Sequence, residues 1–240
     1  MTTADRWTRE VRQQLGLGRL LPLGDARDGA WISEKAAEAV LRSTAEAMGG
    51  VRLGALRLAL TDPQQAQEAA VPPPPSALPP GPLRITADFA TTAAEPLPAT
   101  AERLRVLLST AAAQRLGLAV TEVDLRVTAL LDEEVEPAAV HPPEPARAAE
   151  PANPDEERVV AVTRATPGVT RLTGTLGGLG RSVHIDRRQG EAALPRRHVR
   201  VEIAVSADHR AVEVAREVRE RVGRALADHP TVAVLVTSVG

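Results

Sequence analysis

VRVEIAVSADHRAVEVAREVRERVGRALADHPTVAVLVTSVG, residues 199–240, decides the fold. Its first eight residues alternate apolar with polar or small side chains, the period of a strand with one buried face. From Arg210 to Ala227, Val214, Ala215, Val218, Val222, Ala225 and Leu226 fall on one face of a helix. Asp208 stands where a helix N-cap is expected. Residues 231–239 are rich in β-branched side chains and read as a closing strand. A helical crossover returns the chain in its original direction, so strands 199–206 and 231–239 are expected to be parallel.

Upstream, residues 157–166 read as a helix stopped by Pro167-Gly168, followed by a strand over 169–176. Gly177-Gly178-Leu179-Gly180 makes a tight turn, 181–186 a strand, and 187–195 a return towards the strand at 199.

The same order occurs earlier in the chain. Ser33 is placed to cap a helix running to about Met48, with Ala36, Val40, Leu41, Thr44 and Met48 on one face. Gly49-Gly50 stops it. Strands follow at 51–60 and 83–90, then a helix over 99–116 with Leu104, Leu107, Leu108 and Ala111 inward, then a strand at 123–130 expected to run parallel to 83–90. Three blocks match in order: GGVRL (49–53) with PGVTR (167–171), LRITADFA (83–90) with VRVEIAVS (199–206), and RVTAL (126–130) with LVTSV (235–239).

The expectation is therefore an α+β chain of two tandem small units, each a mixed sheet with packed helices, joined by a proline-rich linker. Residues 1–28 form an N-terminal helical segment, 29–131 the first unit, 132–156 an acidic Pro/Ala linker, and 157–240 the second unit. Within the first unit, 61–82 (TDPQQAQEAAVPPPPSALPPGP) reads as a solvated, partly polyproline loop, because proline lacks an amide donor and fixes φ. In the N-terminal segment Trp7, Val11 and Leu15 share one helical face and Arg6, Arg9 and Arg12 accompany them. That helix reads either as a docking element for a partner or membrane surface, or as a helix packed on its own domain.

Residues 159–240 resemble the alkaline-shock, or envelope stress response, family of Gram-positive bacteria. The resemblance rests on PGVTRL (167–172), VRVEIAVSADH (199–209), AVEVAREVRERV (211–222) and TVAVLVTSVG (231–240). The first half is a degenerate version in which P-G-V has become Gly49-Gly50-Val51. The duplication, the polyproline insert and the Trp7 helix depart from single-domain members. The resemblance implies a non-enzymatic cytoplasmic protein, clustered beneath the membrane through an anchored partner, and brings no catalytic residues.

Composition narrows the chemistry further. The 240 residues include no cysteine, which excludes disulfides, thiolate metal sites and cysteine nucleophiles. Aromatics are 1% of the chain, Trp7, Trp31 and Phe89, so cores must be built from Val, Leu, Ile and Ala. No apolar run approaches a membrane span, and the first residues lack the plan of a secretory leader, so a cytoplasmic location is expected.

Several residue groups carry the types that chemistry needs. Ser206, Asp208 and His209 crowd into four positions, too close to form a nucleophile–base–orienter chain. His184 and Asp186 share a strand face at ligand-like spacing, with His198 and His209 as further candidates; an exposed polar face is the competing reading. The Gly177–Gly180 loop leads into a strand, unlike a P-loop or KH loop. No catalytic, metal or cofactor site is expected.

Residues 157–240 carry 14 basic against nine acidic side chains, and residues 136–156 one against five. Arg181, Arg187, Arg188, Arg196, Arg197 and Arg200 gather around the second-unit hairpin. They read either as an anion- or partner-binding patch or as a solvated arginine loop paired with the acidic linker. No aromatic residue lies in 90–240 to stack a base, which disfavours nucleic acid. A protein partner or a homo-oligomer is expected, with peripheral membrane association through that partner, since small open sheets leave edges to pair.

Overall fold

The computed structural model describes residues 18–132, 144–175, 180–190 and 193–240, with the side chains of 188–190 and 193–196 left aside. The helix expected around Trp7 and most of the Gly177–Gly180 turn lie outside these residues. The chain is α+β. In order, it contains β1 (Leu20–Pro22), β2 (Ala30–Ser33), α1 (Glu34–Glu46), β3 (Val51–Leu60), β4 (Leu83–Thr92), α2 (Leu97–Ala111) and β5 (Val120–Leu131). Then follow α3 (Pro154–Arg164), β6 (Val169–Leu172), β7 (Val183–Gly190), β8 (Ala193–Val205), α4 (Ala211–Ala225) and β9 (Thr231–Val239).

Both expected parallel pairings form. A three-stranded sheet has the order β3-β4-β5, with β4 antiparallel to β3 and parallel to β5. In the six-stranded sheet β8 runs parallel to β9 and antiparallel to both β6 and β7. The order strand, strand, helix, strand thus recurs with the same pairing signs. Ser33 caps α1 as expected, its Oγ accepting from the Ala36 amide at 3.2 Å. The same Oγ donates to the Thr237 carbonyl at 3.3 Å, which ties the cap to β9.

Residues 20–33 depart from the sequence reading. They form two strands, and both belong to the six-stranded sheet: β1 pairs with β2, and β2 runs parallel to β9, with Ile32 opposite Val236. Runs of three and four residues are too short to show a strand period. Gly24 (φ +82°) and Gly29 (φ +56°), in left-handed backbone, bound the tight link between them. Ile32 joins Val234, Val236, Ile203 and the apolar faces of α1, α2 and α4 in one core shared by both sheets.

The opposite face of that sheet has its own small cluster, Leu20, Trp31, Val71, Ala233 and Leu235. Val71 comes from the proline-rich insert, so the expectation of a solvated loop needs correction. Val71 is 3% exposed, and Pro74 and Pro80 are buried. Trp31 Nε1 donates to the Leu78 carbonyl at 3.2 Å, the Leu78 amide to Leu20 O at 2.8 Å, and the Ala70 amide to Ala26 O at 2.8 Å. The apolar outer face demands a cover, and a proline-rich segment provides one with few amide donors left to satisfy.

The described part of the linker also lies on the protein. The Gly174 amide donates to Ala146 O at 3.1 Å and the Ala149 amide to Gly180 O at 2.7 Å, beside β6. Helix α3 begins at Pro154, earlier than expected. Asn153 Oδ1 accepts from the Glu156 amide at 3.0 Å while Glu156 Oε2 accepts from the Ala152 amide at 2.8 Å. Among the described residues, no helix is long and apolar enough to cross a membrane.

Candidate interaction surfaces

The hairpin arginines do not form one patch. Arg197 donates from Nε and Nη2 to the two carboxylate oxygens of Asp228 at 2.6 and 2.7 Å, and also pairs with Asp155. Those hydrogen bonds push the guanidinium further up from its ordinary range, and the Arg197 bond holds the Asp228 carboxyl below its own. Arg197 thus joins the hairpin to the start of α3 and to the α4–β9 turn. Arg181 lies 3.8 Å from the buried Glu156. Arg187, the register partner of Arg197, is exposed. Arg188 and Arg196 are register partners at the hairpin tip. Arg200, three residues beyond Arg197 in the same strand, is half-buried on the opposite face.

That opposite face carries a buried polar cluster absent from the sequence reading. Glu202 is fully buried, and its Oε2 accepts from the Thr175 amide at 2.6 Å. His184 Nε2 lies 3.9 Å from Glu202 Oε1 and 3.2 Å from the Arg181 carbonyl. His198, 5% exposed, places Nδ1 2.8 Å from Thr231 Oγ1, and the Thr173 and Thr237 hydroxyls meet at 2.8 Å. The signal was present in HVRVEIAV (198–205), where His198, Arg200 and Glu202 alternate with valine and isoleucine. What the alternation could not show is that this polar face is covered.

The ligand-like set is only partly gathered. Asp186 and His198 are register partners and His184 sits beside Glu202, but His209 lies elsewhere, against Gly168. Among the described residues no group of three His, Cys, Asp or Glu side chains is placed to hold a metal. Ser206, Asp208 and His209 form a turn, in which the Asp208 amide donates to Ser206 Oγ at 3.3 Å and the His209 amide to Ser206 O at 3.1 Å. The expected Asp208 cap is displaced: Arg210 occupies the cap position of α4, with no side-chain cap bond.

Exposed apolar surface lies beside the three-stranded sheet. Leu97, Val106, Val127 and Leu130 are the large apolar side chains left exposed among the described residues, and all sit on α2 or β5. A groove of about 580 Å³ runs where the end of α1 meets α2, lined by Ala47, Met48, Val106, Leu107 and Thr110 with Glu102 and Arg103. Arg42 Nη1 donates to the Leu53 carbonyl of β3 at 3.4 Å, and Arg19 Nη2 donates to the Leu58 carbonyl. β5, at the other edge of this sheet, has the Val123 carbonyl bonded by Arg105 Nε at 3.2 Å.

Compared with known proteins, the chain matches no family model and no curated sequence.

Proposed function

We propose that the chain is a non-enzymatic interaction protein, acting through self-association or through a membrane-anchored partner, in the role that the alkaline-shock resemblance implies for a cytoplasmic protein of the envelope stress response. The observation that carries this reading is the grouping of Leu97, Val106, Val127 and Leu130 on α2 and β5, beside an apolar groove. Two of the hairpin arginines are engaged in internal pairs: Arg197 with Asp155 and Asp228, Arg181 with Glu156. The nucleic-acid reading draws on Arg187 together with Arg188 and Arg196, and is supported less, because Arg197 is already neutralised.

Light scattering on the purified chain, together with affinity capture from membrane and soluble fractions, tests this. The expected result is a species heavier than the 25.4 kDa chain or a retained membrane-fraction protein. A monomer that retains nothing overturns it.

A further inference from the structure

Among the described residues five strands stand at sheet edges, β1, β6 and β7 in one sheet and β3 and β5 in the other. β7 carries the exposed charges Asp186 and Arg187, which disfavour edge pairing, and three of the others are occupied. At β1 the proline-rich insert bonds to the Leu20 carbonyl, and Ala77 bridges Leu20. At β6 the linker bonds around Arg147 and Thr173. At β3 two carbonyls are held by Arg19 and Arg42. β5 is different. It is 12 residues long, its residues 126–130 are exposed, and among the described residues only the Arg105 side chain, itself 42% exposed, meets its main chain from outside.

Resting on the self-association reading, we infer that the β5 edge pairs antiparallel with β5 of a second copy, about a two-fold axis through Leu125, joining two three-stranded sheets into one. The Arg105 bond to Val123 O marks residues 123, 125 and 127 as those whose peptide groups face away from β4. In this register they meet as Leu125 with Leu125 of the second copy and Val123 with Val127, so outward donors face outward acceptors. Asp124 then stands opposite Arg126, twice over. Both are exposed, at 62% and 75% of their side chains, and each already leans on its own chain, Asp124 towards Arg84 at 3.4 Å and Arg126 on Asp88 at 2.8 Å. Pairing extends these into two symmetry-related rows of alternating charge, each running from Asp88 and Arg126 of one copy to Asp124 and Arg84 of the other. A register centred on Asp124 would set like charges face to face. Val127 and Leu130, exposed on the helix side of the strand, are covered as the second sheet continues the first. Arg105 gives up the Val123 acceptor to a main-chain donor.

Sedimentation of the full chain over a concentration series is expected to show a dimer. Val127→Lys, a lysine on an edge strand, is expected to weaken it by about tenfold or more with an unchanged circular dichroism spectrum. Because the chain has no cysteine, register can be read by cross-linking. Asp124→Cys and Arg126→Cys chains, mixed under mild oxidant, are expected to join. Neither is expected to join alone, since two residues of offset puts the Cα atoms beyond the roughly 7 Å a disulfide spans. A monomeric wild-type chain overturns both this proposal and the self-association reading. An assembly that survives Val127→Lys and does not cross-link in the mixture overturns the β5 interface alone.

Discussion

Asp28 and Arg216, 188 positions apart, meet in a two-pronged ion pair, Nε to Oδ1 at 2.7 Å and Nη2 to Oδ2 at 2.8 Å. Asp28 also accepts from the Asp25 amide at 2.7 Å and is 7% exposed. The pair fixes the β1–β2 link onto α4, so the N-terminal segment is held both by sheet pairing and by charge. Arg216→Ala, which strands the buried carboxylate, is expected to cost about 1–3 kcal/mol in urea unfolding. Asp28→Ala, which leaves a half-exposed guanidinium to water, is expected to cost less.

Acid should act through the same pair. Burial pushes the Asp28 carboxyl up, but the hydrogen bonds from Arg216 and the Asp25 amide, with the charges of Arg216 and Arg219, outweigh it and hold it below the ordinary range. At Glu34 burial is likewise outweighed by Arg19, which bonds it at 2.8 Å. A lowered carboxyl stabilises the fold above its unfolded pKa, and that contribution is lost as pH falls through the folded value. Unfolding free energy is therefore expected to decline below about pH 4. In Arg216→Ala the decline should be shallower, as read by denaturant titration at each pH.

The insert offers a separable test. Val71→Asp places a carboxylate against Leu20, Trp31 and Leu235, where burial of an unpaired charge is strongly disfavoured. Hydrogen exchange at the Ala70 and Leu78 amides is expected to accelerate by about tenfold or more, while that of β4 amides stays unchanged. Equal acceleration throughout the chain would show that the strap is not a separate unit.

Gly117 ends the turn after α2 with φ +92°, and an added Cβ would stand 2.3 Å from Val212 Cγ1. Its carbonyl accepts the Gly24 amide at 3.0 Å. Gly117→Ala combines left-handed strain with this clash and is expected to lower stability by more than about 1 kcal/mol. Adding Val212→Ala should return only part of the loss, because the backbone strain persists.

The strand–helix–strand order was legible from period alone, as in Val199-Arg200-Val201-Glu202-Ile203, and so was the Ser33 cap. Leu20–Pro22 and Ala30–Ser33 were not, because strands this brief have no period, and β2, which pairs β1 on one side, has its other partner in the distant β9. For the insert, composition reports the absence of donors but not the apolar face of Trp31 and Leu235 waiting beneath. Among the arginines, sequence proximity suggested one patch, whereas the two faces of β8 separate Arg197 from Arg200. The exposed apolar side chains of β5 were not legible either, since valines in a strand look alike whether covered or bare.

The parallel pairing of Ala30 with Val234 has a temporal side. A ribosome adding about 5–20 residues per second needs roughly 10–40 s to pass from one to the other. During that interval Leu20, Trp31 and Ile32 have no sheet to join, and the insert has no surface to cover. The nascent chain must keep these apolar side chains from other partners until β9 emerges, so its yield on synthesis should depend on chaperone supply more than its final stability suggests.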